Sequence, residues 1–330
     1  MNQDHPKVKF GKTGVLLINL GTPDSTSWWD IRKYLKEFLS DRRVIEINPL
    51  LWQIILNLFI LTLRPSKTAH AYKKIWRKDT NESPLLYFTR RQAKKLSDKI
   101  GSENIIVDFA MRYGNPSIKL KLNSLKEAGC ENIVILPLYP QYAAATTATV
   151  CDEVYRSLMS MRWQPSLQVI PHYESNPIYI NALINSIKSK IEKINWKPDL
   201  IISSYHGIPK KYFDKGDPYH CYCQKTTRLM KEKFTLIDIR TTFQSRFGPQ
   251  EWLTPYTDKT LELLPKEGVK NLLVICPGFA SDCVETLEEI NIQGRESFIN
   301  NGGKNFDLVP CLNDESDHIE LFEKLVKKYI

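Results

Sequence analysis

His206 closes the run Ile201-Ile202-Ser203-Ser204-Tyr205-His206-Gly207-Ile208-Pro209, where an apolar stretch ends on an imidazole held between an aromatic residue and a Gly-Ile-Pro turn. Its ordinary pKa, close to neutrality, suits proton transfer or ligation of a borderline metal. Taken alone, such a histidine more often does no more than bond a nearby carbonyl. A second run, from Pro277 to Glu289, spaces Asp282, Glu285 and Glu289 at i, i+3 and i+7, one face of the helix expected to begin there. The first two fit a capping box, with Asp282 at the N-cap, and the helix dipole favours early carboxylates. Glu289 lies further along the same face and is not explained by capping. A third run, Pro137-Leu138-Tyr139-Pro140-Gln141-Tyr142 followed by alanines at 143–145 and Thr146-Thr147, brings tyrosines, small residues and hydroxyls to a helix start. That content suits a flat apolar ligand with anionic groups, or simply a capped helix. His220, Cys221 and Cys223 resemble a ligand set, but Cys-x-Cys lacks the paired spacing of a zinc site.

The elements that must hold these residues read as βαβ units. Short apolar runs closed by turn residues predict buried parallel strands at 15–23, 105–109, 133–136, 167–170, 200–204, 237–241 and 272–276. Helical patterns fall between them at 89–100, 117–128, 177–194, 225–233 and 257–264. Alternation of this kind predicts an α/β fold of two similar, doubly wound, Rossmann-type lobes with parallel sheets flanked by helices. The halves echo each other: KEAGCENIVILP (126–137) resembles KEGVKNLLVICP (266–277), and VLLINLG (15–21) resembles LIISSYHG (200–207). The lobes are expected at 1–172 and 173–330, with a cleft between them and the last helix packing back on the first lobe. Ligands of open α/β sheets sit outside the carboxyl ends of the strands, so chemistry is sought after Leu20, Leu136, Ser204 and Cys276.

Composition sets the outer bounds. The 330 residues, 42% hydrophobic and 25% charged, are enough for well-buried cores and exclude a disordered or fibrous chain. Lys and Arg total 46 against 37 Asp and Glu, a net charge of +9 that favours anionic partners. The basic residues never cluster in a run of five, so no nucleic acid partner is expected. Seven scattered cysteines argue for a reducing compartment, and MNQDHPKVKF lacks the layout of a signal peptide, so a cytoplasmic protein is expected. The segment LLWQIILNLFILTL (50–63) is almost wholly apolar, with Arg42, Arg43 and Arg64 near its ends. At about 1.5 Å per residue it is too short to cross roughly 30 Å of hydrocarbon. It reads either as a buried helix or as an exposed apolar lip that meets a membrane face or a flat ligand. No Gly-x-Ser-x-Gly elbow and no Walker loop is present, which disfavours an α/β hydrolase and ATP use.

Together these segments resemble ferrochelatases of the bacterial, protoporphyrin type. The resemblance rests on IISSYHGIP with Gly216-Asp217-Pro218-Tyr219, on LGTPDS (20–25), MRYGNPSI (111–118), YPQY (139–142), TTFQSRFGPQEWLTPYTD (241–258) and FASDCVETLEEI (279–290), and runs from about Val15 to Leu312. It implies a two-lobed, chelatase-like fold and insertion of Fe²⁺ into protoporphyrin IX to give protohaem, with ferrous iron a substrate and no tightly bound cofactor. It implies that His206 and Glu285 are the catalytic and metal-handling pair, with Asp282 and Glu289 extending an acidic line. Metallation releases two inner N–H protons while iron sheds water, so a base and oxygen or nitrogen ligands are needed. Ring distortion driven by binding energy is also implied. Porphyrin contacts are implied for Ser83 and Arg112 at the mouth, and for Tyr113, Tyr142, Trp252 and the lip residues Trp52 and Phe59 as apolar walls.

Where many relatives carry His, two residues before the helix glutamate, this chain has Cys283, so a relay role for that His does not transfer. The chain ends at Ile330 without the Cys-rich tail that holds the animal [2Fe–2S] cluster, and no iron–sulfur cluster is expected. Peripheral association with the inner face of the cell membrane, and contact with neighbouring haem-pathway enzymes, are expected partners. Rival readings are a coproporphyrin III ferrochelatase, another tetrapyrrole chelatase, and a non-catalytic haem or metal carrier.

Overall fold

The computed structural model describes residues 9–330; the N-terminal residues 1–8, part of the stretch read above for a signal peptide, lie outside the described residues. Two parallel four-stranded sheets form its frame. The first has the order β2-β1-β3-β4, built from β1 (Lys12–Thr22), β2 (Ile105–Gly114), β3 (Cys130–Pro137) and β4 (Ser166–Val169). The second repeats it as β6-β5-β7-β8, from β5 (Leu200–His206), β6 (Ile239–Gln244), β7 (Asn271–Ile275) and β8 (Asn305–Leu308). Matching positions in the two orders pair β1 with β5 and β3 with β7, the same elements that echo each other in sequence.

Period-two alternation decides where each strand residue goes. Val15, Leu16, Leu17 and Ile18 are all 0% exposed, yet Val15 and Leu17 join one core while Leu16 and Ile18 join another. On β5, Ile201 belongs to the first core, and Leu200 and Ile202 to a third. The first core is shared: Val134 and Leu136 of β3 and Leu273 and Ile275 of β7 all enter it. Helices Pro177–Lys193 and Ser316–Val326 fill the space between the sheets, and the latter lies against Pro84–Ile100 of the first lobe. Lys99 reaches Glu323 across that seam at 3.5 Å. The two lobes are thus halves of one packed body.

Helix boundaries follow cap chemistry. Pro84–Ile100 starts on Ser83, whose hydroxyl accepts from the Leu86 amide, and stops at Gly101 in the left-handed region. Pro177–Lys193 starts on Asn176 with proline at its first position.

The apolar segment at 50–63 is the first half of one helical rod, Pro49–Ile75. By length and composition a helix of 27 residues can cross a membrane, which corrects the expectation of a stretch too short to do so. Its packing excludes the buried-helix reading as well. Leu56, Leu61, Pro65, Ala69 and Tyr72 fix one stripe to the lobe. The other side carries Leu50 at 80% and Leu63 at 72% exposure, a lip of the kind that marks an interaction surface.

Candidate active site

Between the lobes lies a cleft that, with its open mouth included, holds about 1590 Å³ of space. All four strand ends singled out contribute to it: Leu20 and Gly21 at the end of β1, Leu138 and Gln141 after β3, Gly207 to Pro209 after β5, and Gly278 to Ser281 with Cys283 to Glu285 after β7.

His206 is the last residue of β5 and lines this cleft, half-buried. Its Nδ1 lies 2.6 Å from the Gly207 carbonyl oxygen, which can only accept. Nδ1 therefore carries a hydrogen, so in the neutral ring the lone pair is on Nε2. Two features lock the turn behind it. The Gly207 amide donates to the Gln244 carbonyl, and Pro209 bridges to Trp252. A Cβ on residue 207 would stand 3.0 Å from the Gln244 oxygen and 3.2 Å from the Trp252 ring, so this close approach favours glycine. Trp252 is buried at the cleft wall, with its indole N–H donating to the Phe247 carbonyl at 3.0 Å.

Glu285 opens a helix of π geometry, Glu285–Gly294, a form common at functional sites. It lines the cleft with His206. Gln244, at the end of β6, ties the two together: its Oε1 accepts from the Ser204 hydroxyl at 2.7 Å, and its Nε2 donates to the Glu285 carbonyl at 2.9 Å. Glu289 stands one turn on, accepting from the Ser245 amide and hydroxyl and from Gln244. Burial pushes its carboxyl above the usual range, opposed by the Ser245 hydroxyl and by His206, and reinforced by the Glu285 charge. Across the cleft, burial raises the Tyr34 and Tyr72 phenols, and the charge of Glu285 adds to this. His206, Glu285 and Glu289 therefore form one electrostatic group, of which His206 and Glu285 line the cleft opposite an aromatic wall and Glu289 does not line it.

The remaining candidates divide. Ser83 lines the cleft as the cap described above. Asp282 does not line it: the carboxylate is buried behind the loop, bonded to Thr286, Cys311 and Asn313. No capping box forms, because the helix begins only at Val284 and Thr286 serves the Cys283 amide instead. The acidic line thus shortens to Glu285 and Glu289.

Arg112 and Tyr113 are also corrected in position. Both are buried behind the wall, bonded to Asp41 and Thr149, which leaves Arg112 no free face at the mouth. Tyr142 is half-buried off the cleft near Arg43, and Tyr139 and Gln141 of the same motif line it instead. Of the lip residues, Trp52 donates its indole N–H to the Leu39 carbonyl at 2.7 Å, and Phe59 is 58% exposed; neither lines the cleft. The same helix offers Arg64, Tyr72 and Ile75 to it. Arg64 rests its guanidinium 5.2 Å from the Phe247 ring, an exposed cation at the cleft. Among the described residues no three His, Cys, Asp or Glu side chains group as a metal site, so His220, Cys221 and Cys223 do not form one.

Comparison with known proteins gives a consistent result. The ferrochelatase family model matches residues 12–330. A ferrochelatase of Allorhizobium ampelinum is 54% identical over 328 residues, covering 98% of this chain and 95% of that protein. One from Francisella tularensis is 52% identical over 326 residues, covering 98% and 97%. Among solved structures, SirB from Bacillus subtilis with Fe³⁺ superposes with a TM-score of 0.57 at 10% identity, covering 96% of this chain and 95% of SirB. CbiX, a terminal enzyme of sirohaem biosynthesis, gives 0.52 at 12%, covering 96% and 99%. These two likenesses concern the fold alone. With its motifs, its two-lobed fold and a relative more than half identical along its length, this chain belongs to the ferrochelatase family.

Proposed function

We propose that the protein inserts ferrous iron into protoporphyrin IX, giving protohaem. The observation that carries this reading is the pairing of a free imidazole lone pair on His206 with the Glu285 carboxylate in one apolar-walled cleft. Nε2 of His206 is placed to accept an inner N–H proton, since Nδ1–H is committed to the Gly207 oxygen. Glu285 offers oxygen to Fe²⁺ as the metal sheds water, and Glu289, with its raised pKa, can hold a proton next to His206. Aromatic walls supplied by Tyr34, Tyr72 and Trp252 match the faces of a macrocycle, and Arg64 provides charge for a propionate.

Protoporphyrin carries two propionates where coproporphyrin III carries four, and the apolar surroundings disfavour the additional carboxylates. The lip at 50–63 is suited to reversible contact with the inner face of the cell membrane, which makes the protein a cytoplasmic enzyme with peripheral attachment. An anaerobic assay offering Fe²⁺ with protoporphyrin IX and with coproporphyrin III in parallel tests the reading. Higher kcat/KM for protoporphyrin IX is expected. A clear preference for coproporphyrin III overturns the substrate, and saturable binding without turnover overturns the reaction.

A further inference from the structure

The loop that delivers Glu285 begins at a carboxylate turned away from the cleft. Ser281, Cys283 and Glu285 line the cavity, and Asp282 between them is 6% exposed and does not. Its Oδ1 accepts from the Thr286 hydroxyl at 3.1 Å and the Cys311 amide at 3.3 Å, and its Oδ2 accepts from Nδ2 of Asn313 at 2.7 Å. Asn313 answers with its own Oδ1, which accepts from the Asp282 amide at 2.8 Å.

The backbone of Asn313 lies at φ +44°, a left-handed conformation that Asn, Asp and Gly tolerate. Its carbonyl oxygen accepts from Nε2 of Gln92 at 2.8 Å and from Nδ1 of His318 at 2.7 Å. Gln92 comes from the opposite lobe, and the same nitrogen reaches the Ala280 carbonyl and the Ser281 hydroxyl, each at 3.0 Å. The Arg91 and Lys95 cations on the same helix hold Asp314 beside it, at 2.7 and 2.6 Å.

A buried carboxylate with three donors is stable where it is, and a passing cation would have to strip those bonds away. The one-face spacing of residues 282, 285 and 289 assumes an α-helix through all three, but this helix starts later and winds as π.

We propose that Asp282 is a positioning residue for iron insertion: with Asn313, and braced by Gln92 of the other lobe, it fixes the start of the helix that presents Glu285, and it does not touch the metal. This rests on the chelatase reading above.

A reciprocal exchange tests it. In Asp282→Asn alone, two amide N–H groups meet, and kcat for Fe²⁺ should fall about tenfold or more, because small misplacements of a reacting group are costly. Combining Asp282→Asn with Asn313→Asp lets every bond re-form with the carboxylate moved to position 313. The double variant should return to within about threefold of wild-type kcat, with KM for Fe²⁺ unchanged. A folded double variant as slow as Asp282→Asn, with a raised KM for Fe²⁺, overturns the proposal, because metal would then need the charge at 282. Should the double variant not fold, Asn313→Gly decides. It suits the left-handed backbone and leaves the 282 carboxylate in place. A kcat lowered about fivefold or more with porphyrin KM unchanged supports the clamp, and full kcat overturns it. Wild-type insertion is the reference throughout, so failure of the chelatase reading shows there and failure of the clamp only in the variants.

Discussion

The two lobes share one topology and put it to different uses. On the central strands of the two sheets, Leu20 near the end of β1 and His206 at the end of β5 are each followed by glycine, and both line the cleft. Beyond β3 and β7 respectively, Ala145 and Glu285 each stand in a helix of π geometry and line the cleft. The first lobe therefore presents Leu and Ala where the second presents His and Glu. On the proposed reading, one half keeps the wall apolar for a flat ligand, and the other concentrates the proton-accepting and metal-ligating groups. The fold supplies equivalent ledges at strand ends, and side-chain identity alone decides which ledge reacts.

The comparison can be attacked first where the effect is largest. His206→Ala should lower metal insertion by about 10²–10⁴-fold, the usual contribution of an acid–base group, while porphyrin binding followed by fluorescence stays near wild type. Retention of half the turnover would remove the asymmetry between the lobes. Glu285→Gln should reduce kcat about tenfold or more with a melting temperature close to wild type, because the carboxylate makes no capping box here. A destabilised variant fully active per folded molecule would make Glu285 structural.

On the apolar side the expectation is milder. Leu20→Ala removes part of a half-buried side chain worth about 1 kcal/mol, so porphyrin KM should rise about fivefold with kcat within about twofold. A large kcat loss would mean the first lobe does chemistry too.

The seam behind both ledges should show in stability alone. His318 is fully buried, and burial pushes its pKa down to about 4, opposed by the bond to the Asn313 carbonyl. Above about pH 6.5 neither state takes the proton. As pH falls from there towards 4 the unfolded chain binds it first, and stability drops by about 3 kcal/mol from this group. Denaturant unfolding of His318→Gln should lose less stability than wild type between pH 7 and about pH 4.5, with kcat at pH 7 little changed. Parallel pH profiles for the two would exclude His318 as the source.

Much of this design was legible in the residues. Continuous apolar runs such as Val15–Ile18 and Leu200–Ile202 announce strands buried on both faces, and turn residues at their ends locate the cleft. β8 escaped because Asn305-Phe306-Asp307-Leu308 is short and half polar. The lip helix was cut short because Arg64 and Lys67 end the apolar run, although Tyr72 and Ala69 further on keep the buried stripe. Asp282 was misplaced because its spacing was counted on an α-helix, and the chain bends into a loop there. The positions of Arg112 and Tyr113 depend on Asp41 and Thr149, which lie 71 and 36 residues away in sequence, beyond the reach of local pattern. His206 and Glu285 were legible as cleft residues because one ends a strand and the other follows the loop beyond a strand, each a side chain unusual for its surroundings.

The most direct test of the division between lobes gives the second lobe the residues its twin already has. His206→Leu combined with Glu285→Ala should still take up protoporphyrin IX, as read by fluorescence quenching, because the ligand walls are untouched. In an anaerobic single turnover with bound porphyrin and Fe²⁺, it should form no protohaem above about 1% of the wild-type rate. Insertion at about a tenth of the wild-type rate or faster would contradict the account, since neither ledge would then hold the chemistry.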